Sequence, residues 1–269
     1  MQFIEFIKNT ISLYSFMAIL GIIAAGIAYF LLSRERTTSV RERIFMFIYA
    51  LLGVFAGGHL MFFIVGLPDW IRDYSGRILS TADFLDAFAD GASGMVFYGG
   101  LFGALLAIVW FCRVHHLYTR SELNCAVTVF PLFHAFGRIG CALTGCCYGI
   151  EYHGPLAMQF EQWQIVPGRT DDLVDFTRFP VQLLEAFLNA ALFIALLIFY
   201  KKTKDKYSIT CVYLISYGII RFFDEFLRGD AIRGIWGPFS TSQWLSLIVI
   251  AASVVYLILK RTKRGVSVS

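Results

Sequence analysis

Residues 12–32 read SLYSFMAILGIIAAGIAYFLL, and residues 33–43, which follow directly, read SRERTTSVRER. The first run is uncharged and apolar, and long enough to cross the ~30 Å hydrocarbon core of a bilayer as a helix. The second closes it with Arg34, Arg36, Arg41 and Arg43. This alternation of apolar run and basic connector recurs along the chain and decides the fold class: an all-α, polytopic membrane protein. Seven transmembrane helices are expected, at about 12–32, 44–67, 93–112, 121–142, 180–200, 207–227 and 241–260, in a single membrane-embedded domain over 1–269. Composition agrees. The 269 residues are 58% hydrophobic and 16% charged, too apolar for a soluble domain of this length. A net charge of +4 gives no reason to expect a nucleic-acid partner. The N-terminus has only Lys8 as an early basic residue and no small-residue cleavage site, which argues against a cleaved signal peptide.

The basic residues set an expected topology. Arg113 and Arg120, then Lys201, Lys202, Lys204 and Lys206, then Lys260, Arg261, Lys263 and Arg264 occupy alternate connectors and the C-terminal tail. With seven spans these segments and 33–43 share one side, which the positive-inside rule makes cytoplasmic. The N-terminus is then outside and the C-terminus cytoplasmic. The opposite loops, at about 68–92, 143–179 and 228–240, carry many of the acidic residues, and the two longer ones have the length of functional loops.

That topology gives each intramembrane polar residue a depth. His59, Tyr98, His134, Arg138, Cys141, Gln182, Glu185, Arg221 and Gln243 all fall toward the outer leaflet, from six different spans. Ionisable residues within spans are costly and mark functional sites. Their convergence on one leaflet points to a site open to that leaflet rather than to a pore, which would place polar groups at the midplane. His134, Arg138 and Cys141 follow i, i+4, i+7, one helical stripe. Tyr217, Arg221, Asp224, Glu225 and Arg228 form a second stripe. Gly137 and Gly140 permit close helix approach. Plainer readings stand beside these. Arg138 pairs with Glu225 or Glu185 simply to hold the bundle, Arg228 snorkels at the interface, and His59 is a hydrogen-bonded core residue.

Two arginines at outer-leaflet depth suit an anionic phospholipid headgroup, because guanidinium binds phosphate bidentately and stays charged. Cleavage of a headgroup ester needs that charge on the leaving phosphate, and a base drawn from Tyr, His or Glu. Cys141, Cys146 and Cys147 lie near the outer surface, where a Cys141–Cys146 or Cys141–Cys147 disulfide, or a reactive thiol, can form. No metal is expected, since the three cysteines lack an obvious fourth ligand.

Several motifs, in order, resemble those of the prolipoprotein diacylglyceryl transferases of bacterial cytoplasmic membranes. Gly57-Gly58-His59-Leu60 resembles that family's small-small-basic-Leu motif, and Met95-Val96-Phe97-Tyr98-Gly99-Gly100 its Met-x-Phe-His-Gly-Gly motif. Gly137-Arg138-Ile139-Gly140 resembles the start of its Gly-Arg-x-Gly-Asn signature, and Phe179-Pro180-Val181-Gln182-Leu183-Leu184-Glu185 its His-Pro-x-Gln-Leu-Tyr-Glu motif. The run from Tyr217 through Gly218, Arg221 and Glu225 to Arg228 is similar to its sixth-span motif, and Ser242-Gln243-Trp244-Leu245-Ser246 to its Gly-Gln-x-x-Ser motif.

The resemblance implies a membrane transferase moving diacylglyceryl from phosphatidylglycerol, or a related anionic phospholipid, to the lipobox cysteine of a prolipoprotein or another extracytoplasmic acceptor. Glycerol phosphate leaves and no cofactor is used. It implies Arg138, Arg221, Tyr217, Glu225 and Tyr98 as catalytic residues, with the two arginines clamping phosphate. It implies His59, Gly99, Gly100, His134, Gly137, Gly140, Cys141, Gln182, Glu185, Arg228 and Gln243 as substrate-binding residues. The enzyme would be a multi-pass protein of the bacterial cytoplasmic membrane with its site facing the outer leaflet. The chain departs from the family at Tyr98 and Phe179, where the family has histidines, at Cys141, where it has Asn, and at Cys146, where it has Glu. Two alternatives follow from these departures: a divergent paralog with another acceptor, and a non-catalytic phospholipid-binding or transport protein.

Overall fold

The computed structural model describes residues 12–33, 38–74, 80–91, 94–160, 176–203, 209–230 and 234–266. The chain is mostly helical: α1 (Leu13–Leu32), α2 (Val40–Tyr74), α3 (Thr81–Gly91), α4 (Phe97–Val114), α5 (Thr119–Leu143), α6 (Val181–Lys202), α7 (Ile209–Asp224) and α8 (Thr241–Val266). Among the described residues, six helices are long and apolar enough to cross a membrane: α1, α2, α4, α5, α6 and the Thr241–Lys260 part of α8. The sixth expected span, 207–227, coincides with α7, which has only 16 residues. Its expected last turn tightens into a 3-10 turn, Glu225–Leu227, after which Arg228 is extended. The helices are accompanied by one small hairpin, β1 (Ile235–Trp236) and β2 (Phe239–Ser240), paired antiparallel, among the described residues.

Large apolar side chains face outward along the helices. In α1, Ile19, Ile23, Ile27 and Leu31 are all close to half exposed or more. Their i, i+4 spacing makes one stripe. In water such a stripe would drive aggregation; against lipid tails it is the expected surface.

The chain forms two compact units, one of Glu35–Leu123 and one of Met1–Arg34 with Asn124–Ser269. In the first, Ser39 and Glu42 form a capping box at the start of α2: the Ser39 amide donates to Glu42 Oε2 at 2.8 Å and the Glu42 amide to Ser39 Oγ at 3.2 Å. Helices α2 and α4 touch backbone to backbone. A methyl group added at Gly57 would strike the Gly99 carbonyl, and one at Gly103 the Gly53 carbonyl. The expected loop 68–92 is largely helical, because α2 runs on through Pro68 to Tyr74 and α3 follows. Trp70 Nε1 donates to the Ala87 carbonyl at 2.7 Å and ties the two together.

In the second unit, Asn124 Oδ1 accepts from the Thr210 hydroxyl at 2.8 Å, joining the starts of α5 and α7. At the opposite ends of the helices, three stretches are stitched edge to edge. The Ile150 amide donates to the Leu227 carbonyl at 3.0 Å, the Gly229 amide to the Tyr148 carbonyl at 2.9 Å, and the Phe179 amide to the Ile150 carbonyl at 2.9 Å. This stitching covers part of the expected loop 143–179; residues 161–175 lie outside the described residues.

Candidate active site

The stitching brings the C-terminal ends of α5 and α7 to the N-terminal end of α6. Four charged side chains meet there, all buried: Arg138 from α5, Glu185 from α6, Arg221 and Glu225 from α7 and its 3-10 turn. Arg138 Nε lies 2.9 Å from Glu185 Oε2, and Arg221 Nη1 lies 3.8 Å from the same oxygen. Arg221 Nη2 lies 2.6 Å from Glu225 Oε2, one helical turn on. Each arginine is thus paired with a carboxylate, which buried charges require. Of the two sequence-level partners for Arg138, the structure selects Glu185.

His134 completes the α5 stripe. Its Nε2 accepts from Arg138 Nε at 3.1 Å, and its ring sits 5.4 Å from the Tyr217 ring, which stacks on Tyr213. Tyr217 is fully buried. Gln182, in the first turn of α6, donates through Nε2 to the Cys146 carbonyl at 2.9 Å, while its buried Oε1 meets no hydrogen-bond donor among the described residues. Arg221 Nη1 is likewise buried without a hydrogen-bond acceptor. Unpaired buried polar atoms of this kind are costly unless a ligand completes them.

Two expectations, for Arg228 and Gly137, need revision. Arg228 does not continue the α7 stripe, since the helix ends at Asp224. Nor does it snorkel: it is buried, bridges to Gly149 and donates through Nε to Asp230 Oδ1 at 2.9 Å. Gly140 packs against Tyr14 and Met17 of α1, as close approach demands, whereas an added methyl at Gly137 would meet no atom of the described residues within 4 Å, so that glycine borders open space among them. Gln243 is engaged locally. Its Oε1 accepts from the Ser240 amide at 3.0 Å, its own amide donates to Ser240 Oγ at 3.2 Å, and its Nε2 donates to the Phe222 carbonyl at 3.3 Å. That is the capping box of α8.

His59, Tyr98, Gly99 and Gly100 belong to the Glu35–Leu123 unit. There Tyr98 and both glycines are buried in α4, and Gly99 serves the backbone contact with α2.

All six cysteines are free thiols, so neither expected disulfide is formed. Instead the Sγ atoms of Cys141, Cys146 and Cys147 all lie within 4.8 Å of one another. The turn that gathers them has left-handed backbone at Gly145 (φ 65°) and Cys147 (φ 54°), and the Cys146 amide donates to the Cys141 carbonyl at 3.1 Å. Hydrogen bonds from Cys141 and Cys146, reinforced by Arg228 and Arg138, hold the Cys147 thiol well below the usual cysteine range against the effect of burial.

Sequence reasoning missed two contributors. Ser242 Oγ accepts from Arg221 Nη2 at 3.2 Å, and Asp230 neutralises Arg228. Asp230 was within reach of inspection, two residues beyond its partner. Ser242 opens a quoted motif, but its contact with Arg221 shows only once the folded chain sets the start of α8 beside α7.

The model of the family described as prolipoprotein diacylglyceryl transferase matches residues 2–259. The chain belongs to the prolipoprotein diacylglyceryl transferase family. Curated members of the family are similar over most of their length. The phosphatidylglycerol–prolipoprotein diacylglyceryl transferase 2 of Clostridium perfringens is 30% identical over 251 residues, 93% of this chain and 91% of the relative. The Clostridium tetani enzyme named phosphatidylglycerol–prolipoprotein diacylglyceryl transferase is 30% identical over 90% of each chain. The Chlorobaculum tepidum protein of the same name is 32% identical over 78% of this chain and 71% of its own.

Proposed function

We propose that this chain transfers the diacylglyceryl group of phosphatidylglycerol to the cysteine thiol of a prolipoprotein. Membership of the family and the names of its bacterial relatives support the reaction class, donor and acceptor. The observation that carries the site is the pair of buried arginines bridged by Glu185. Glu185 takes Arg138 through Nε. Arg221 Nη1 has no hydrogen-bond acceptor among the described residues. A phosphodiester placed between them would receive charge-assisted bonds that strengthen as negative charge develops on the leaving glycerol phosphate. Tyr217 and Glu225 border the same arginines and are the groups we assign to positioning and proton transfer there. His134, Gln182 and the open space at Gly137 would hold the rest of the headgroup. Tyr98 and His59 are assigned to the same reaction from their motifs.

We further propose that the whole chain acts as one membrane-embedded transferase domain of the bacterial cytoplasmic membrane. It would cross seven times, with the N-terminus outside and the site facing the outer leaflet. The basic connectors support that orientation. Reporter fusions at the C-terminus and after Gly91 test it: the first should report the cytoplasm, the second the outside.

The reaction is tested with purified protein, phosphatidylglycerol labelled in its headgroup glycerol, and a lipobox peptide. Release of glycerol phosphate only with a cysteine-containing peptide is expected. Release without peptide, or none at all, would sink the transferase reading.

A further inference from the structure

The cysteine cluster is the part of the site that the family reaction leaves unused. Two of its members, Cys141 and Cys146, stand where the sequence departs from the family motif. We propose that Cys141, Cys146 and Cys147 form a three-thiolate site for a zinc-class divalent metal, whose open fourth position takes the acceptor thiol and presents it for alkylation. The proposal rests on the transferase reading and deepens it.

Geometry carries it. A tetrahedral site with metal–sulfur bonds of about 2.3 Å has sulfurs roughly 3.8 Å apart. The three Sγ atoms, within 4.8 Å of one another, need close by only a small movement. The Cys-x4-Cys-Cys spacing wraps the end of α5 through the left-handed residues Gly145 and Cys147, which is what turns three sulfurs toward a common point. The Thr144 hydroxyl, which donates to the Gly140 carbonyl at 3.0 Å, also lies 3.6 Å from Cys146 Sγ. Among the described residues no His, Asp or Glu joins the three. Structural zinc sites have four protein ligands, whereas a site of three keeps one position for substrate. Cys141 is buried but Cys146 and Cys147 are partly exposed, so that position is reachable.

Charge and placement agree. Three thiolates around a divalent ion leave a net negative charge, and Arg138 and Arg228 lie in electrostatic reach of Cys147. Cys141 follows Arg138 by one turn of α5, so a thiol held at the cluster would lie beside a phosphate held at the arginines. The proposed step balances without redox change. The acceptor thiol gives its proton to water on binding the metal. Its sulfur attacks the glyceryl carbon that carries the phosphate, a carbon–sulfur bond forms, and the carbon–oxygen bond breaks with its electron pair leaving on glycerol phosphate. The metal remains divalent and Arg138 and Arg221 receive the charge. Such activation supplies a thiolate at the member of the family whose motif histidine is replaced by Tyr98.

The test uses the full chain purified in detergent under reducing conditions. One zinc per chain is expected. Replacement by cobalt(II) should give the intense sulfur-to-metal absorption of a tetrahedral thiolate site, and a lipobox peptide should shift that spectrum where its Cys-to-Ser analogue does not. Chelation should lower glycerol phosphate release at least tenfold, with zinc restoring it. C141S, C146S and C147S should each weaken cobalt binding at least tenfold; the chelation arm needs no variant and so is independent of their folding. Full release from metal-free protein overturns the proposal while leaving the transferase reading intact. So does a disulfide among the three, or a cobalt spectrum indifferent to the peptide thiol. A thiol-responsive cobalt spectrum with no glycerol phosphate release under any condition overturns the transferase reading and the transfer role of the metal, but not the metal site.

Discussion

The Nε atom of Arg138 lies 2.9 Å from Oε2 of Glu185, with both side chains almost wholly removed from solvent. The same carboxylate oxygen also faces Arg221 at 3.8 Å. One acid on α6 therefore fixes the spacing of two cations on α5 and α7.

Replacing Glu185 by Ala should destabilise the protein by about 3–5 kcal/mol, because two guanidiniums would be left buried beside no bridging anion. A lowered unfolding midpoint, followed by intrinsic fluorescence in detergent, checks this. An unchanged midpoint would mean that the arginines are compensated elsewhere.

Substitution of Arg221 by Lys keeps the charge but removes the planar fork in which Nη2 serves Glu225 and Ser242 while Nη1 faces Glu185. Glycerol phosphate release should fall by about 10²–10³-fold, the usual effect of losing one donor to developing negative charge. A near-normal rate would remove Arg221 from the clamp.

Two glycines should behave oppositely. A Gly103→Val chain would drive its side chain into the Gly53 backbone and lose roughly 1–3 kcal/mol or more of stability by overpacking. At Gly137 an added Cβ meets no described atom within 4 Å, so in Gly137→Ala the unfolding midpoint should hold while lipid turnover falls as the open space is filled. Measuring the midpoint and the turnover of both variants separates packing from ligand space.

Loss of the α8 cap gives a smaller effect. Ser240→Ala removes the acceptor of the Gln243 amide and should cost about 1 kcal/mol. Hydrogen exchange at the first turn of α8 should quicken while the rest of the helix is little changed.

Much of this was legible in the sequence, for particular reasons. Apolar length alone placed α1, α2, α4, α5 and α6, since a bilayer fixes how long a span must be. Spacing on α5 placed His134 and Arg138 on one face, and the need to pair a buried arginine narrowed its partner to Glu185 or Glu225. The fate of Arg228 was not legible. Whether a helix continues for one more turn depends on what its end touches, and here Leu227 and Gly229 pair with residues 148–150. The gathering of Cys141 with Cys146 and Cys147 was equally hidden. Left-handed backbone at a cysteine is not a local preference and is imposed by the surrounding fold. The helix at Thr81–Gly91 escaped because its stretch reads as polar and short, and it is the aromatic contacts of Trp70 with Phe84 and of Phe63 with Phe88 that accompany it.

The edge-to-edge stitching of residues 148–150 to Phe179 and to 227–229 has a consequence for biogenesis. These three stretches are far apart in the chain, and contacts of long sequence separation form late. Synthesis delivers Arg138 first, Glu185 next and Arg221 with Glu225 last, so a nascent chain ending before α7 carries an incomplete charge set and lacks the 227–229 edge of the seam. The centre would therefore be born inactive and switch on only when the penultimate helix arrives, sparing the membrane from a half-built enzyme.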